Sequence, residues 1–417
     1  MTRQMKTSGV EWIGDIPEKW DVCKVINCLL NIGSGTTPQG LEYYENEYIP
    51  WLNTGDLNDA YIERTEKSVS EKALSDYSVL KRFDKGSVVV AMYGATVGKL
   101  GIVSFPLVTN QACCVMTPNE KLYNMFLFYL FMAGKTHLIS LSLGSGQPNI
   151  NQNTVKTFDI PFPSFSEQKE IADYLDAKCA KIDAFIAKQK TVIEKLKEYK
   201  QSVITEAVTK GLNPAAPMKT SGVEWIGDIP EKWQILRLKN TVEHINEKTE
   251  SIAQNYIGLE NIESWTGHYI NQSSGIPEGV SNIFRKNDIL FSKLRPYLAK
   301  CLMADFSGIC SSELLVLRNF KGYSRFLFHL LLSHGFINIV DSSTYGSKMP
   351  RANYSFIGNV EIPYPPLSEQ KKIADYLDKK CAEIDTLIEK KQKFLTELAT
   401  YKKSMIYEYV TGKKEVA

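Results

Sequence analysis

The chain has 417 residues, more than one ordinary domain holds, and 43% hydrophobic with 23% charged residues is a globular composition, not a disordered one. Its 49 basic and 47 acidic residues leave a net charge of +2, which excludes a polybasic protein that holds nucleic acid by bulk charge but allows a local basic surface. No run approaches the roughly 18 apolar residues of a membrane span, and the first nine residues carry no apolar signal core, so a cytoplasmic location is expected.

The first element is repeated. Residues 5–20, MKTSGVEWIGDIPEKW, recur unchanged at 218–233, and sixteen identical residues mark an internal duplication. A second pair lies further on: IPFPSFSEQKEIADYLDAKCAKIDAFI from Ile160 matches IPYPPLSEQKKIADYLDKKCAEIDTLI from Ile362. Fainter echoes stay in register between them, such as FLFYLFMAG from Phe126 against FLFHLLLSHG from Phe326. The order is variable region, shared segment, variable region, shared segment. Two copies are too few for a solenoid. A closed pair about a pseudo-two-fold axis is expected instead.

The first variable region offers strand-like runs at 87–92, 102–108 and 112–116 and an apolar helix at 122–132. Cys113 and Cys114 fall in the third run, where burial is expected. Without a CxxC pair or a zinc-like His/Cys spacing, the eight cysteines read as reduced thiols and a metal site is not expected. Residues 94–100, GATVGKL, resemble a phosphate loop but have three residues between glycines and Leu100 where Ser or Thr should hold magnesium. A turn between strands is the better reading. The second variable region repeats the plan, with strands at 289–291 and 314–317 and a helix at 323–332. Each region suits a compact α/β or α+β domain of about 145 residues.

The shared segments read as long helices. From Leu175 the apolar positions Cys179, Ile182, Ile186, Ile193 and Leu196 follow the 3–4 alternation of a coiled-coil seam. Leu377, Cys381, Ile384, Ile388, Leu395 and Leu398 do the same in the second copy, with polar interruptions at Gln189 and Lys200, then Lys391 and Lys402. The prolines at 161 and 163, and at 363, 365 and 366, bar an earlier start, and Ser166 and Ser368 are the expected N-caps. About forty-five residues make a rod of about 65–70 Å. A two-fold axis across the rods would set the helices antiparallel.

No catalytic core is legible: there is no GxGxxG after a strand and no GxSxG elbow. The paired acids Asp173/Asp176 and Asp375/Asp378 read as a solvated helix face. What remains are loops rich in donors. The second region offers Arg285, Lys286, Lys293, Arg295, Tyr297 and Lys300, then Lys348, Arg351 and Asn353. The first offers Lys81, Arg82, Lys85, Tyr93, Thr96 and Lys99, then Gln147 and Asn149. Arg and Lys suit guanine edges or phosphates, Gln and Asn suit adenine, and Tyr can stack. Ordinary surface charge explains any single one about as well. Residues 21–165 hold 11 basic and 13 acidic residues and residues 234–365 hold 13 and 11, so neither region grips nucleic acid by charge alone.

The duplicated MKxSGVEWIGxIPxxW, the IPxPxxSEQxxIAxYLD opening of each long helix, and the alternation of variable and shared regions resemble the specificity subunit of type I restriction–modification systems, over essentially the whole chain. The resemblance implies an α+β (mixed) fold in which two target recognition domains, 1–165 and 213–365, alternate with two helical spacers, 166–212 and 366–417, packed as an antiparallel coiled coil. It implies a non-catalytic subunit whose domains each read one half of a bipartite double-stranded DNA target. Its helices would set the spacer and dock two methylation subunits, with restriction/motor subunits joining the complex. S-adenosylmethionine, ATP and magnesium would belong to the partner subunits, and this chain would hold no cofactor. The absence of an NPPF- or DPPY-like methyltransferase motif agrees. The glycine-rich run from Gly33 to Pro38 has no counterpart near Ile245, so the two halves should read different sequences. Two other functions remain open from residues alone: a complete enzyme with a dispersed site, and a coiled-coil adaptor that binds no DNA.

Overall fold

The computed structural model describes residues 3–45, 48–142, 148–250, 255–272, 279–346 and 348–416. They form two compact units, Met1–Gln189 with Lys393–Ala417, and Lys190–Gln392. Each unit takes one variable region, part of the first long helix and part of the second.

In the first unit the repeated segment folds as a small hairpin, Met5–Thr7 against Asp15–Pro17. Its apolar residues Ile13, Ile16 and Trp20 are buried. The identical residues of the second unit build the same hairpin, Met218–Thr220 against Asp228–Pro230. The next strand, Asp21–Lys24, pairs antiparallel with Asp159–Phe162, which ties the start of the variable region to its end. Gln234–Arg237 and Glu361–Tyr364 close the second unit in the same way.

Between those ties the first unit holds a five-stranded sheet in the order Leu29–Gly33, Cys113–Pro118, Val88–Ala91, Leu100–Val103, Ala60–Ile62, antiparallel except for the last pair. A three-stranded sheet, Val108–Thr109, Ile49–Leu52 and Lys67–Val69, lies beside it in sequence. The expected strand at 102–108 is therefore two strands in two sheets. Pro106 interrupts it, because proline has no N–H for a ladder. Cys113 and Cys114 are fully buried, and desolvation raises both thiols.

The apolar helix runs Asn124–Ser140, longer than its sequence suggests. Gly134 does not end it. A Cβ there would lie 2.7 Å from the Phe158 ring, so glycine serves close packing and not a break.

The second unit has two four-stranded sheets: Glu243–Ile245, Leu314–Arg318, Ile289–Ser292, Cys301–Met303, and Lys248–Thr249, Ser281–Phe284, Gly308–Cys310, Tyr256–Ile257. Helices Ser324–Leu331 and His334–Ser342 cover one face of the first of these sheets, where Phe326, Leu330 and Phe336 pack with Phe291, Leu315 and Leu317. The second sheet packs Phe284 and Ile257 with Leu290 and Val316 of the first sheet.

The long helices are Phe165–Lys210 and Leu367–Val410. Both start one residue before the expected serine caps. Ser164 receives the Glu167 N–H, and the Glu369 and Gln370 N–H groups reach the Pro366 carbonyl. Ser166 and Ser368 lie inside the first turns, since the preceding prolines restrict only the residues before them. Gly211 and Gly412, at φ 76° and 71°, follow the two helices in the left-handed conformation of a C-terminal stop.

In the first unit Tyr409 donates to the Tyr174 hydroxyl at 3.0 Å, Lys402 meets Asp183, and Phe394 meets Phe185 edge-on. Numbers rise along one helix as they fall along the other, so the strands of this pair run antiparallel. In the second unit Lys200 meets Asp385. Leu175, Cys179, Ile193, Leu377, Cys381, Ile384 and Ile388 are buried, whereas Ile182, Ile186, Leu196, Leu395 and Leu398 are half-buried. Two helices alone cannot enclose a seam as a full core would.

Candidate nucleic-acid interface

In the second unit, Ile289–Ser292 and Cys301–Met303 form a hairpin whose loop contains the tight turn Pro296–Leu298. Arg295 and Ala299 flank that turn at φ 48° and 45°, left-handed without being glycine, which costs about 1–2 kcal/mol each. The loop before the next helix lies against it. The Arg295 N–H donates to the Pro350 carbonyl at 2.8 Å, and the Ala352 N–H to the Lys293 carbonyl at 2.9 Å. The fold thus brings Lys293, Arg295, Tyr297, Lys348, Arg351 and Asn353 onto two adjoining loops.

Those side chains are not equally available. Tyr297, Lys348 and Asn353 are exposed, although the Asn353 carbonyl oxygen also caps the short helix Tyr354–Ile357. Arg351 is engaged by Glu313 at 3.2 Å, and those hydrogen bonds push its pKa up. Lys300 turns inward and donates to the Leu259 and Ile262 carbonyls at 2.7 and 2.9 Å, with burial lowering its pKa. Arg285 and Lys286 are exposed but precede the strand Ile289–Ser292, at the opposite end from the loop.

The first unit has the same construction. Residues 93–99 close the hairpin of Val88–Ala91 and Leu100–Val103, with Gly94 and Gly98 at φ 84° and 74° and the Gly98 N–H on the Ala91 carbonyl at 2.8 Å. This is a hairpin loop, as the defective phosphate-loop spacing implied. The segment holding exposed Asn149 joins it through the Ile150 N–H on the Met92 carbonyl at 2.7 Å. Tyr93, Thr96 and Lys99 are half-buried; Gln147 lies outside the described residues. Lys81, Arg82 and Lys85 are exposed beyond the far end of the strand, where Arg82 pairs with Glu71.

Four polar residues not singled out from sequence stand at the hairpin-loop end. The Thr37 hydroxyl donates to Gln111 Oε1 at 2.8 Å, and Asn110 Nδ2 donates to Asn53 Oδ1 at 3.2 Å. The glycine-rich run was a signal for Thr37 alone, and it pointed to a difference between the halves without naming Gln111 as its partner.

Of the acids read as a solvated helix face, Asp173 and Asp375 are exposed, but Asp176 and Asp378 make tertiary contacts instead. Asp378 accepts from His329 Nε2 and Arg325 Nε, both at 2.8 Å, and Asp176 accepts from the Tyr129 hydroxyl at 3.3 Å. In each unit this carboxylate anchors the long helix to the variable region's apolar helix.

The second unit also has a cavity of about 1460 Å³, lined by Lys200, Trp265, His268, His334, Asp385 and others of mixed charge. Among the described residues no cluster of His, Cys, Asp and Glu could hold a metal ion, and no helix is long and apolar enough to cross a membrane.

Comparison with known proteins gives these loops a context. The family described as type I restriction modification DNA specificity domain matches twice, over residues 17–195 and 230–397. The chain is 26% identical over 420 residues to the type I restriction enzyme MjaVIII specificity subunit of Methanocaldococcus jannaschii, covering 96% of this chain and 94% of that one. It is 28% identical over 284 residues to the EcoDI specificity subunit of Escherichia coli, covering 63% and 64%. Among solved structures, a chain from a study of complex assembly and conformational transition of the type I R-M system shares the fold, with a TM-score of 0.73 at 17% identity over 96% of this chain and 99% of that one. With two matched copies spanning both units, the chain belongs to the type I restriction–modification DNA specificity family.

Proposed function

We propose that this chain is the DNA-specificity subunit of a type I restriction–modification complex. One observation carries the reading: two copies of a DNA specificity domain share one framework but present hairpin-loop surfaces of different residues. Residues 1–165 and 213–365 act as target recognition domains, each reading one half of a bipartite double-stranded DNA sequence. Residues 166–212 and 366–417 act as spacers that set the separation of the half-sites and dock two methylation subunits. Restriction/motor subunits complete the assembly in the cytoplasm. The chain catalyses nothing itself; S-adenosylmethionine, ATP and magnesium serve the partner subunits.

Electrophoretic shift of the chain with and without its methylation subunit tests this. Sequence-selective retention of duplex DNA is expected with the partner present. A coiled-coil adaptor would retain no DNA selectively in either case, and a complete enzyme would transfer methyl groups from S-adenosylmethionine without any partner. Methylation-sensitive sequencing of the host genome would then give the bipartite motif. Inserting two helical turns into both spacers should alter the tolerated gap and leave the half-sites unchanged, because the helix rises about 1.5 Å per residue. An unchanged gap would refute the spacer role.

A further inference from the structure

We propose that Gln111 is a specificity-determining residue of the first unit, a side chain held in place by Thr37 that reads adenine in the major groove. The inference deepens the DNA-recognition reading and rests on it. Its basis is geometric.

Gln111 lies in the turn that leads into Cys113–Pro118, at the same end of the sheet as the hairpin loop of residues 93–99. The Met92 N–H donates to the Ala112 carbonyl at 2.8 Å, so the turn and the loop are directly joined. The turn's backbone is fixed from below. The Asn110 N–H reaches the Leu52 carbonyl at 3.0 Å, the Asn110 side chain receives the Ala112 N–H at 3.1 Å, and its amide donates to Asn53.

An exposed glutamine normally samples many rotamers, and ordering it on binding costs up to about 2 kcal/mol. Gln111 is exposed, yet its Oε1 already accepts the Thr37 hydroxyl at 2.8 Å. Thr37 is itself placed by a close approach of two backbones. The Gly35 N–H donates to Thr109 Oγ1 at 3.0 Å, and a Cβ on Gly35 would fall 1.8 Å from the Thr109 carbonyl oxygen. Only glycine permits that contact, so the glycine-rich run is what brings Thr37 to Gln111.

The amide that results suits one base. Oε1 keeps a second lone pair for the adenine N6 amino group, and Nε2 can donate to adenine N7, the bidentate pattern that Gln makes in the major groove. A side chain ordered before binding gives that pair at lower entropic cost. The second unit places exposed Ser312 at the corresponding step before Leu314–Arg318, a residue too short for the same bidentate contact. The two units therefore differ at this position in reach as well as in chemistry.

The test uses the full chain assembled with its methylation subunit and a randomised duplex library, read by sequencing the retained DNA. Wild type is expected to prefer adenine at one position of the half-site read by the first unit. Gln111→Ala should lower that preference roughly tenfold or more at that position alone. Thr37→Val, which keeps the side-chain shape and removes the hydroxyl, should lower it by a smaller factor. Circular dichroism melts of both variants confirm that they fold. If wild type selects sequence but Gln111→Ala keeps every preference, or weakens all sequences alike as a phosphate contact would, the inference is wrong while DNA recognition stands. If wild type shows no sequence selection, the reading beneath it fails and the inference goes with it.

Discussion

Lys200 donates to both carboxylate oxygens of Asp385, at 2.8 and 2.6 Å, from a side chain that is 7% exposed. Lys402 meets Asp183 in the same geometry, 2.7 and 2.6 Å, but there the lysine is 20% and the aspartate 57% exposed. The two pairs exchange roles: each lysine comes from the later part of one long helix and each aspartate from the earlier part of the other. Two of the four polar interruptions of the seam, Lys200 and Lys402, thus form ion pairs suited to fixing helix register, the best-attested use of a buried charge in such a seam.

Their unequal burial predicts unequal costs. Asp385→Ala strands an ammonium with little access to water and should destabilise the second unit by about 2–3 kcal/mol, somewhat below a fully enclosed pair. Asp183→Ala should cost the first unit about 1 kcal/mol or less. Urea unfolding of each variant measures both, and equal losses would show that burial does not govern the pair.

The duplicated hairpin carries a second asymmetry. Trp20 Nε1 donates to Glu167 at 2.9 Å and Trp233 Nε1 to Glu369 at 2.7 Å, while Gln168 and Gln370 accept the Tyr123 and Tyr323 N–H groups, both at 2.8 Å. Glu167 also binds Arg3, whereas the residue at the equivalent place in the second copy is Ala216. Trp233→Phe should therefore cost more than Trp20→Phe, by about 1 kcal/mol, because Glu369 loses its only cationic or N–H side-chain donor among the described residues. Paired urea melts check the difference, since the cavity left by the ring change is common to both.

These contacts explain which parts of the fold could be read from the chain. The repeated tryptophans and the Ser-Glu-Gln helix starts are repeated because they bind one another, and identical words in one sequence need no structure to be seen. The helix pair was legible from apolar spacing and from Lys200 and Lys402 at matching seam positions, whereas its antiparallel sense came from the assumed two-fold axis and the family resemblance. The loop surface was only partly legible. Lys300 and Arg351 are cationic donors in sequence, but whether an ammonium turns toward carbonyls or a guanidinium toward Glu313 depends on tertiary register. Thr37 and Gln111 lie 74 positions apart, and no local pattern announces their meeting.

The junction between the second long helix and its variable region predicts a pH dependence. His329 is buried, its Nε2 meets Asp378, its Nδ1 has no partner among the described residues, and Arg325 already shares the same carboxylate. Burial, opposed by Asp378 and assisted by Arg325 and Lys200, holds the imidazole below its ordinary value of about 6.5. The unfolded chain then takes up this proton first, so stability is full above pH ~6.5 and falls as the pH drops toward the lowered folded value. Asp378, held below the usual carboxylate range by His329 and Arg325 despite its own desolvation, adds a loss only at lower pH. Tyr129 stands in the equivalent place in the first unit with its pKa pushed far up, and contributes nothing in this window. Stability to unfolding measured between pH 7 and 5 should decline for wild type and less steeply for His329→Tyr, because His244, which burial also holds below its ordinary value, still titrates there. An unchanged slope would mean that another group titrates.

Arg295 separates stability from recognition most cleanly. Its φ of 48° suits glycine, and its N–H is held by Pro350 so that the loop cannot relax. Arg295→Gly should therefore stabilise the second unit by about 0.5–1 kcal/mol, since the strain of a left-handed non-glycine residue is removed. If the guanidinium reads a base, the same variant should lose discrimination at one position of one half-site, by about 1–3 kcal/mol, while becoming harder to unfold. A purely structural arginine would instead leave selection intact, and a phosphate contact would weaken all sequences alike and lower the salt dependence of binding by about one charge. Because the gain in stability and the loss of selectivity have opposite signs, a general folding defect cannot imitate the expected result. Retention from a randomised duplex library, measured at two salt concentrations beside a urea melt, distinguishes the three outcomes.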